Sequence, residues 1–159
     1  MPERNTRQKN RLKVLLVDDH PMFREHLGQL INRDLGMAVC GEADNIKEAM
    51  RLIRETHPDI AIVDITLRGS SGLELIKDLR AQGCQVPVLV LSMHDEDLYA
   101  ERALRAGARG YIMKEAAADH LVTAVRKILS GGLYLSENVA SKMIEQLSGV
   151  RGKTGATGI

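Results

Sequence analysis

The sequence predicts an α/β domain in which helices wind over both faces of a five-stranded parallel sheet. Two observations carry that expectation. Five short apolar runs rich in branched residues each give way to a stretch whose apolar positions recur at helical spacing, so strand and helix alternate five times. The runs lack polar alternation, which marks strands covered on both faces and joined by right-handed crossovers. A doubly wound domain of about 130 residues follows, with one extra helix behind it.

The first run is 12–17, LKVLLV, and an acidic turn follows it. Pro21 suits a first helical turn, where its missing N–H costs nothing, and Phe23, Leu27, Leu30 and Ile31 share one helix face. Residues 37–42, MAVCGE, read as the second strand. Asn45 caps a helix over 46–56 with Ile46, Ala49, Met50 and Ile53 on one face, and His57-Pro58 stops it. The third strand is 59–65, DIAIVDI; a loop from Arg68 to Gly72 leads into a helix over 72–82 carrying Leu73, Ile76 and Leu79, which Gly83 ends. Residues 86–92, VPVLVLS, form the fourth strand, and Asp95 or a neighbour caps a helix over 96–106 closed by Gly107. The fifth strand is 109–113, RGYIM. Helix 117–130 follows, with Leu121, Val122, Val125, Ile128 and Leu129 on one face, and Gly131-Gly132 breaks it. Ser136 caps a last helix over 137–147, and the Gly/Thr-rich stretch 149–159 has no apolar periodicity, so it reads as a flexible tether.

Composition narrows the function. No apolar run approaches the ~18–20 residues a bilayer span needs, and no apolar core follows the basic start, so a membrane anchor and a secretory signal are not expected. Cys40 and Cys84 make neither a disulfide framework nor a zinc pattern, which suits a cytoplasmic protein with free thiols. The net charge is +1, but residues 1–13 hold five basic groups against one acidic, and Arg151 and Lys153 add two more. The body between these ends is therefore acidic, a poor nucleic-acid surface, and residues 1–11 read as a solvated basic arm.

Ligands of open parallel sheets sit at the carboxyl ends of the strands. Here the first strand ends in Asp18-Asp19, the third in Asp64 and the fourth in Ser92, while Lys114 follows the fifth. Taken one at a time these are a helix start, a turn former, a cap and a solvated lysine. Together on one edge they make a site. Clustered carboxylates repel, so they either raise a pKa or hold a cation, and an oxygen-only set suits Mg²⁺. A carboxylate nucleophile, a cation, an ammonium and a hydroxyl donor compose a phosphoryl-transfer site in which an aspartate becomes an acyl phosphate.

The run VLLVDDHPMFREHL, then Asp64 with Gly69 and Gly72-Leu73-Glu74 behind it, then VLVLSMHDE and GARGYIMKE, resembles a response-regulator receiver domain. The resemblance spans residues 12 to about 130, and the Asp-Asp-His-Pro, LSMHDE and GYIMKE segments are most similar to the NarL/FixJ subfamily. It implies a flavodoxin-like (CheY-like) fold with strand order 2-1-3-4-5, a receiver domain over 12–131, a linker helix over 132–148 and a tether over 149–159. It further implies Asp64 as phosphoacceptor, with Mg²⁺ held by Asp19, Asp64 and the backbone carbonyl of Thr66, and by Asp18 through a water. Ser92 and Lys114 bind phosphoryl oxygens, and Tyr111 is the switch aromatic that follows Ser92. The implied partner is a sensor histidine kinase, with a homodimer possible on phosphorylation. A helix-turn-helix output domain lies outside this chain, so specific DNA binding is not expected of it.

Thr66 and His94 lie two residues beyond Asp64 and Ser92, where the family tunes acyl-phosphate lifetime. His20 reads as a neutral flank of the acidic pair, since Mg²⁺ prefers oxygen. Arg68 stands where many members have proline, which suggests a looser loop, and Glu115 replaces a proline that often follows a cis bond, so a trans bond is expected after Lys114. Three other readings compete with this one. A flavin carrier of the same topology needs a neutral phosphate loop after the first strand and aromatic surface to stack on, but aromatics are only 3% here. A Mg-dependent aspartate phosphatase of the haloacid dehalogenase type needs an aspartate where Thr66 stands. A receiver-like module without phosphorylation would have no use for the full residue set.

Overall fold

The computed structural model describes residues 11–34, 36–93, 97–137, 139–145 and 147. Most of the basic N-terminal stretch, His94, the Asp95 cap and the 149–159 tether lie outside the described residues. The elements run β1 (Leu12–Val17), α1 (Pro21–Arg33), β2 (Met37–Ala43), α2 (Ile46–Thr56), β3 (Ile60–Asp64), β4 (Thr66–Leu67), β5 (Ser70–Ser71), α3 (Gly72–Ala81), β6 (Val88–Ser92), α4 (Asp97–Ala106), β7 (Gly110–Met113), a 3₁₀ turn (Lys114–Ala116) and α5 (Ala117–Leu129). A further helix, α6, occupies the described positions of 137–147.

The five long strands form one parallel sheet in the order β2-β1-β3-β6-β7. This is the expected 2-1-3-4-5 topology, renumbered because a two-stranded ladder, β4 and β5, stands between the third and fourth long strands. Successive residues of β1 divide between the two faces: Leu15 and Val17 join one buried cluster, Val14 and Leu16 the other. All four are at most 1% exposed, which is why the run shows no polar alternation. One cluster packs under α2, α3, α4 and α6, the other under α1 and α5. Each fully buried Leu or Ile contributes about 1.5–3 kcal/mol.

Four charged side chains tie down the N-terminal edge of the sheet: Arg80, Arg126, Asp34 and Asp59. Arg80, at the end of α3, donates to the carbonyls of Cys84 (2.9 Å), Val86 (3.0 Å) and Gly107 (3.0 Å), joining the approaches to β6 and β7. Arg126 on α5 donates to both oxygens of Asp34 (2.8 and 2.7 Å), which also accepts from the Gly36 N–H. The Lys13 N–H donates to Asp59 at 2.7 Å.

Four features depart from the sequence reading. The stretch after Asp64, read as a plain and looser loop, is a hairpin with Thr66 opposite Ser71 and Leu67 opposite Ser70, turning at Gly69 (φ 74°). Gly tolerates that left-handed conformation, so the turn needs no proline at Arg68. Ser71 also donates from Oγ to the Ile65 carbonyl (3.1 Å) and accepts from the Leu73 N–H (3.1 Å), capping α3. A 3₁₀ turn, unforeseen, carries Lys114 between β7 and α5; the described peptide bonds are all trans. Tyr111, read on its own as a half-buried aromatic on an edge strand, is 5% exposed. Nor is β7 a bare edge: Tyr134 bridges to Gly110, taking the Tyr111 N–H on its carbonyl and donating to the Arg109 carbonyl, each at 3.0 Å. The Ser136 cap of α6 is present, its Oγ accepting from the Val139 N–H at 3.2 Å, and Val139 is buried in the same cluster as Tyr111.

Candidate functional site

Parallel pairing brings the predicted residues to one edge. Val17 pairs with Val63, so Asp18 follows β1 beside Asp64, the last residue of β3. Asp64 pairs with Leu91, and Ser92 is one residue further along β6. Ser92 in turn pairs with Met113, directly before Lys114. The buried polar side chains among the described residues are Asp18 (1% exposed), Asp64 (2%) and Ser92 (0%). All three are predicted site residues. A protein does not sequester carboxylates from water without compensation, so their burial marks the place where something else must satisfy them.

Part of that compensation is Lys114. Its Nζ lies 2.7 Å from Asp64 Oδ2 and 3.0 Å from Asp18 Oδ2. Those oxygens are within ion-pair distance but lack hydrogen-bond geometry, and with Asp19 Oδ1 they are buried atoms without a hydrogen-bond partner. One ammonium thus serves two carboxylates, with Asp19 beside them. Burial pushes the Asp64 carboxyl above its usual range; Lys114 and the Thr66 N–H, which donates to Asp64 Oδ1 at 3.0 Å, oppose that, and the Asp18 charge adds to it. Burial would depress Lys114, but its contacts with Asp64 and Asp18 outweigh it and hold the ammonium above its ordinary value.

The donor set fits a hard divalent cation. One ligand atom each from Asp18, Asp19, His20 and Asp64 falls within a 4.8 Å span, and three of these are oxygens, two of them on almost fully buried residues. Gly72 is required behind this corner: a Cβ there would lie 2.4 Å from the Asp64 carbonyl oxygen and 2.9 Å from Val63 Cγ1. Its N–H donates to the Ile65 carbonyl at 2.8 Å, setting α3 close behind the Asp64 strand end.

Two site neighbours escaped the sequence reading. Phe23, counted there as core, sets its ring under the Lys114 ammonium, 4.5 Å from Nζ to the centroid. The signal was a lone aromatic one turn past the acidic pair, but helical periodicity absorbed it. His20, read as a flank, turns Nδ1 into the cluster, 3.2 Å from Asp18, 3.0 Å from Asp19 and 3.7 Å from Asp64. Its backbone N–H also donates to Asp18 Oδ1 at 2.7 Å. Arg24 braces the same turn by donating to the Asp18 carbonyl at 2.6 Å.

Comparison with known proteins points the same way. Residues 14–126 match the family described as response regulator receiver domain. The nitrate/nitrite response regulator protein homolog of Haemophilus influenzae is 34% identical over 140 residues, covering 87% of this chain and 66% of that protein. The transcriptional regulatory protein DegU of Brevibacillus brevis is 32% identical over 138 residues, covering 87% of this chain and 58% of that protein. This chain therefore spans about three fifths of the length of such relatives. Among solved structures, a LuxR-family two-component response regulator from Aurantimonas sp. SI85-9A1 superposes with a TM-score of 0.80 at 38% identity, covering 87% of this chain and 99% of that one. The signal receiver domain of the putative response regulator NarL from Mycobacterium tuberculosis gives 0.73 at 32% identity, covering 77% and 98%.

Proposed function

This chain belongs to the response regulator receiver domain family, with relatives among NarL- and LuxR-type transcription regulators, and from that premise we propose that it is a phosphorylation-dependent switch with Asp64 as phosphoacceptor. The observation that carries the reading is the burial of Asp18 and Asp64 around a single ammonium, with oxygens left unsatisfied at the carboxyl end of the sheet.

Asp19, Asp64 and the Thr66 backbone carbonyl would hold Mg²⁺, with Asp18 acting through a water. Bound there, Mg²⁺ supplies the positive charge that phosphoryl transfer develops a need for. A carboxylate oxygen of Asp64 attacks phosphorus on the phosphohistidine of a sensor kinase. The P–N bond breaks, its electrons return to the imidazole, and an acyl phosphate remains. Lys114 turns from Asp64 Oδ2 to a phosphoryl oxygen. The Ser92 hydroxyl donates to another. The modification adds about −1.5 to −2 charges beside Asp64 and three acceptor oxygens. Movement of Ser92 gives Tyr111 a second position, and the surface made by α4 and β7 changes as a population shift. Because Val139 of α6 packs in the same cluster as Tyr111, that shift reaches the linker helix.

The domain reading follows: receiver over 12–131, linker helix over 132–148, tether over 149–159 and an output helix-turn-helix domain in the full-length regulator. Apart from taking up and losing its own phosphoryl group the chain is not an enzyme. A homodimer forms on phosphorylation, and specific DNA binding belongs to the output domain. No described helix is long and apolar enough to cross a membrane, and the cytoplasm is the compartment proposed.

Beryllofluoride with Mg²⁺ mimics the acyl phosphate and tests the switch. Amide resonances around Ser92 and Tyr111 are expected to move with it. Shifts confined to the acidic corner, with Ser92 and Tyr111 unmoved, would contradict the relay.

A further inference from the structure

We propose that Phe23 is a positioning residue for phosphoryl transfer: its ring face seats the Lys114 ammonium and keeps it at the acidic corner as it turns from the carboxylates to a phosphoryl oxygen. The inference rests on the reading of Asp64 as acceptor and adds to it the residue that holds the lysine in place.

Sequence and packing fix the ring. Phe23 is the third residue of α1, whose first turn is set by Pro21 and by the Arg24 N–H bond to the His20 carbonyl at 2.9 Å. It packs against the cluster under α1 and α5, as does Ala116 of the 3₁₀ turn that Lys114 opens. The two segments therefore meet over one core, with the ring centroid 4.5 Å from Nζ. That separation lies well inside the ~6 Å over which a ring face attracts a cation. The Lys114 side chain is only 9% exposed, so water screens the attraction little. The chain has one phenylalanine and no tryptophan, and that phenylalanine stands beneath the lysine of the site.

The other neighbours of the ammonium are polar: Asp64 Oδ2 at 2.7 Å, Asp18 Oδ2 at 3.0 Å and His20 Nδ1 at 3.3 Å. The carboxylates have a second claim on them. Charge that Asp18 and Asp64 give to a divalent cation no longer holds Lys114, and like charges repel besides. Phe23 has no lone pair to give a metal, so its hold on the ammonium is undiminished. A ring face also attracts a cation without directed bonds, so Nζ can turn over it toward a phosphoryl oxygen and stay seated. A carboxylate at this position would compete with the incoming phosphoryl group for the lysine. An aliphatic side chain would fill the space without attracting it.

The single phenylalanine makes the test specific, because growth on fluorinated phenylalanine alters residue 23 alone. Fluorine draws charge from the ring face and nearly preserves its shape. Phosphoryl uptake from acetyl phosphate with Mg²⁺ is expected to slow stepwise through mono-, di- and trifluorinated rings, reaching about three- to tenfold. Phe23→Leu should be slowed as much and Phe23→Tyr should keep most of the rate, with Mg²⁺ affinity nearly unchanged in both. Independently of activity, the ring current is expected to shift the ε-methylene protons of Lys114 upfield in the ion-free chain, and F23L should return them to their ordinary position. Unchanged uptake across the fluorinated series, or Lys114 protons that F23L leaves in place, would overturn the role of Phe23 while leaving Asp64 as acceptor. No uptake by the unsubstituted folded chain, when it binds Mg²⁺, would overturn both.

Discussion

At the N-terminal edge of the sheet, Arg80 satisfies three carbonyls and Asp34 is held by Arg126 and the Gly36 N–H. At the C-terminal edge, Asp18 and Asp64 share the Lys114 ammonium, and they and Asp19 keep buried oxygens without hydrogen bonds. The two edges are made of the same strands and close on the same pair of cores. They differ in what the fold leaves unsatisfied: among the described residues, one buried nitrogen, Arg11 Nε, at the first edge, and three clustered carboxylate oxygens at the second. The first edge holds the structure together, and the second is where a cation and an anion are to be supplied from outside.

That contrast can be broken from either side. Arg80→Met removes three donors from carbonyls at the approaches to β6 and β7, and should lower unfolding free energy by about 3 kcal/mol in denaturant titration, without changing divalent-ion affinity. Survival of full stability would mean that water replaces Arg80 and that the edge is not locked. Mg²⁺ removal acts on the other edge. At a free concentration 100 times its dissociation constant the ion should add about 2.7 kcal/mol over chelated protein, measured as a melting shift that Asp64→Asn removes. Gly72→Ala drives a Cβ into the Asp64 carbonyl and should destabilise by about 1–3 kcal/mol while slowing phosphoryl uptake, since the backbone of the acceptor must move. An unchanged uptake rate would show that α3 can retreat without disturbing Asp64.

The smallest effect is the most discriminating, because the two edges respond to acid with opposite sign. Arg126 and the Gly36 N–H lower the Asp34 pKa, so its stabilising contribution is present above the unfolded value and is lost as pH falls through the lower folded one. Asp64 is raised, chiefly by burial, so in the ion-free protein its contribution is fully present below the unfolded value and is lost as pH rises through the folded one. Asp34→Asn should cost at most about 1 kcal/mol at neutral pH, the pair being partly exposed, and flatten the acid limb of the stability profile. Asp64→Asn should instead stabilise the ion-free protein at neutral pH. Urea titrations across pH 3–7 check both; the same sign for the two variants would erase the distinction between the edges.

Much of the acidic corner was legible in the sequence because one topological rule did the placing. Parallel strands joined by right-handed crossovers deliver their last residues to one edge, so Asp18, Asp64, Ser92 and Lys114 meet without further information. Helix 46–56 was readable to the residue, since the Asn45 side chain does accept from the Glu48 N–H and His57 breaks the helix at φ 48°. What escaped depends on contacts between distant segments. The ring of Phe23 meets Lys114 across most of the domain. The Tyr134 bridge to β7 involves a segment that reads as a connection. The hairpin after Asp64 hid because two-residue strands carry no periodicity to detect. The inward turn of His20 depends on side-chain direction at a cap, which residue spacing does not encode.

The central claim is that Asp64 is the acceptor. Incubating the wild-type chain and Asp64→Asn with acetyl phosphate and Mg²⁺, then measuring intact mass, addresses it directly. The wild-type chain is expected to gain one phosphoryl group and the variant none. Equal uptake by the variant, or no uptake by a wild-type chain that binds Mg²⁺, would contradict it.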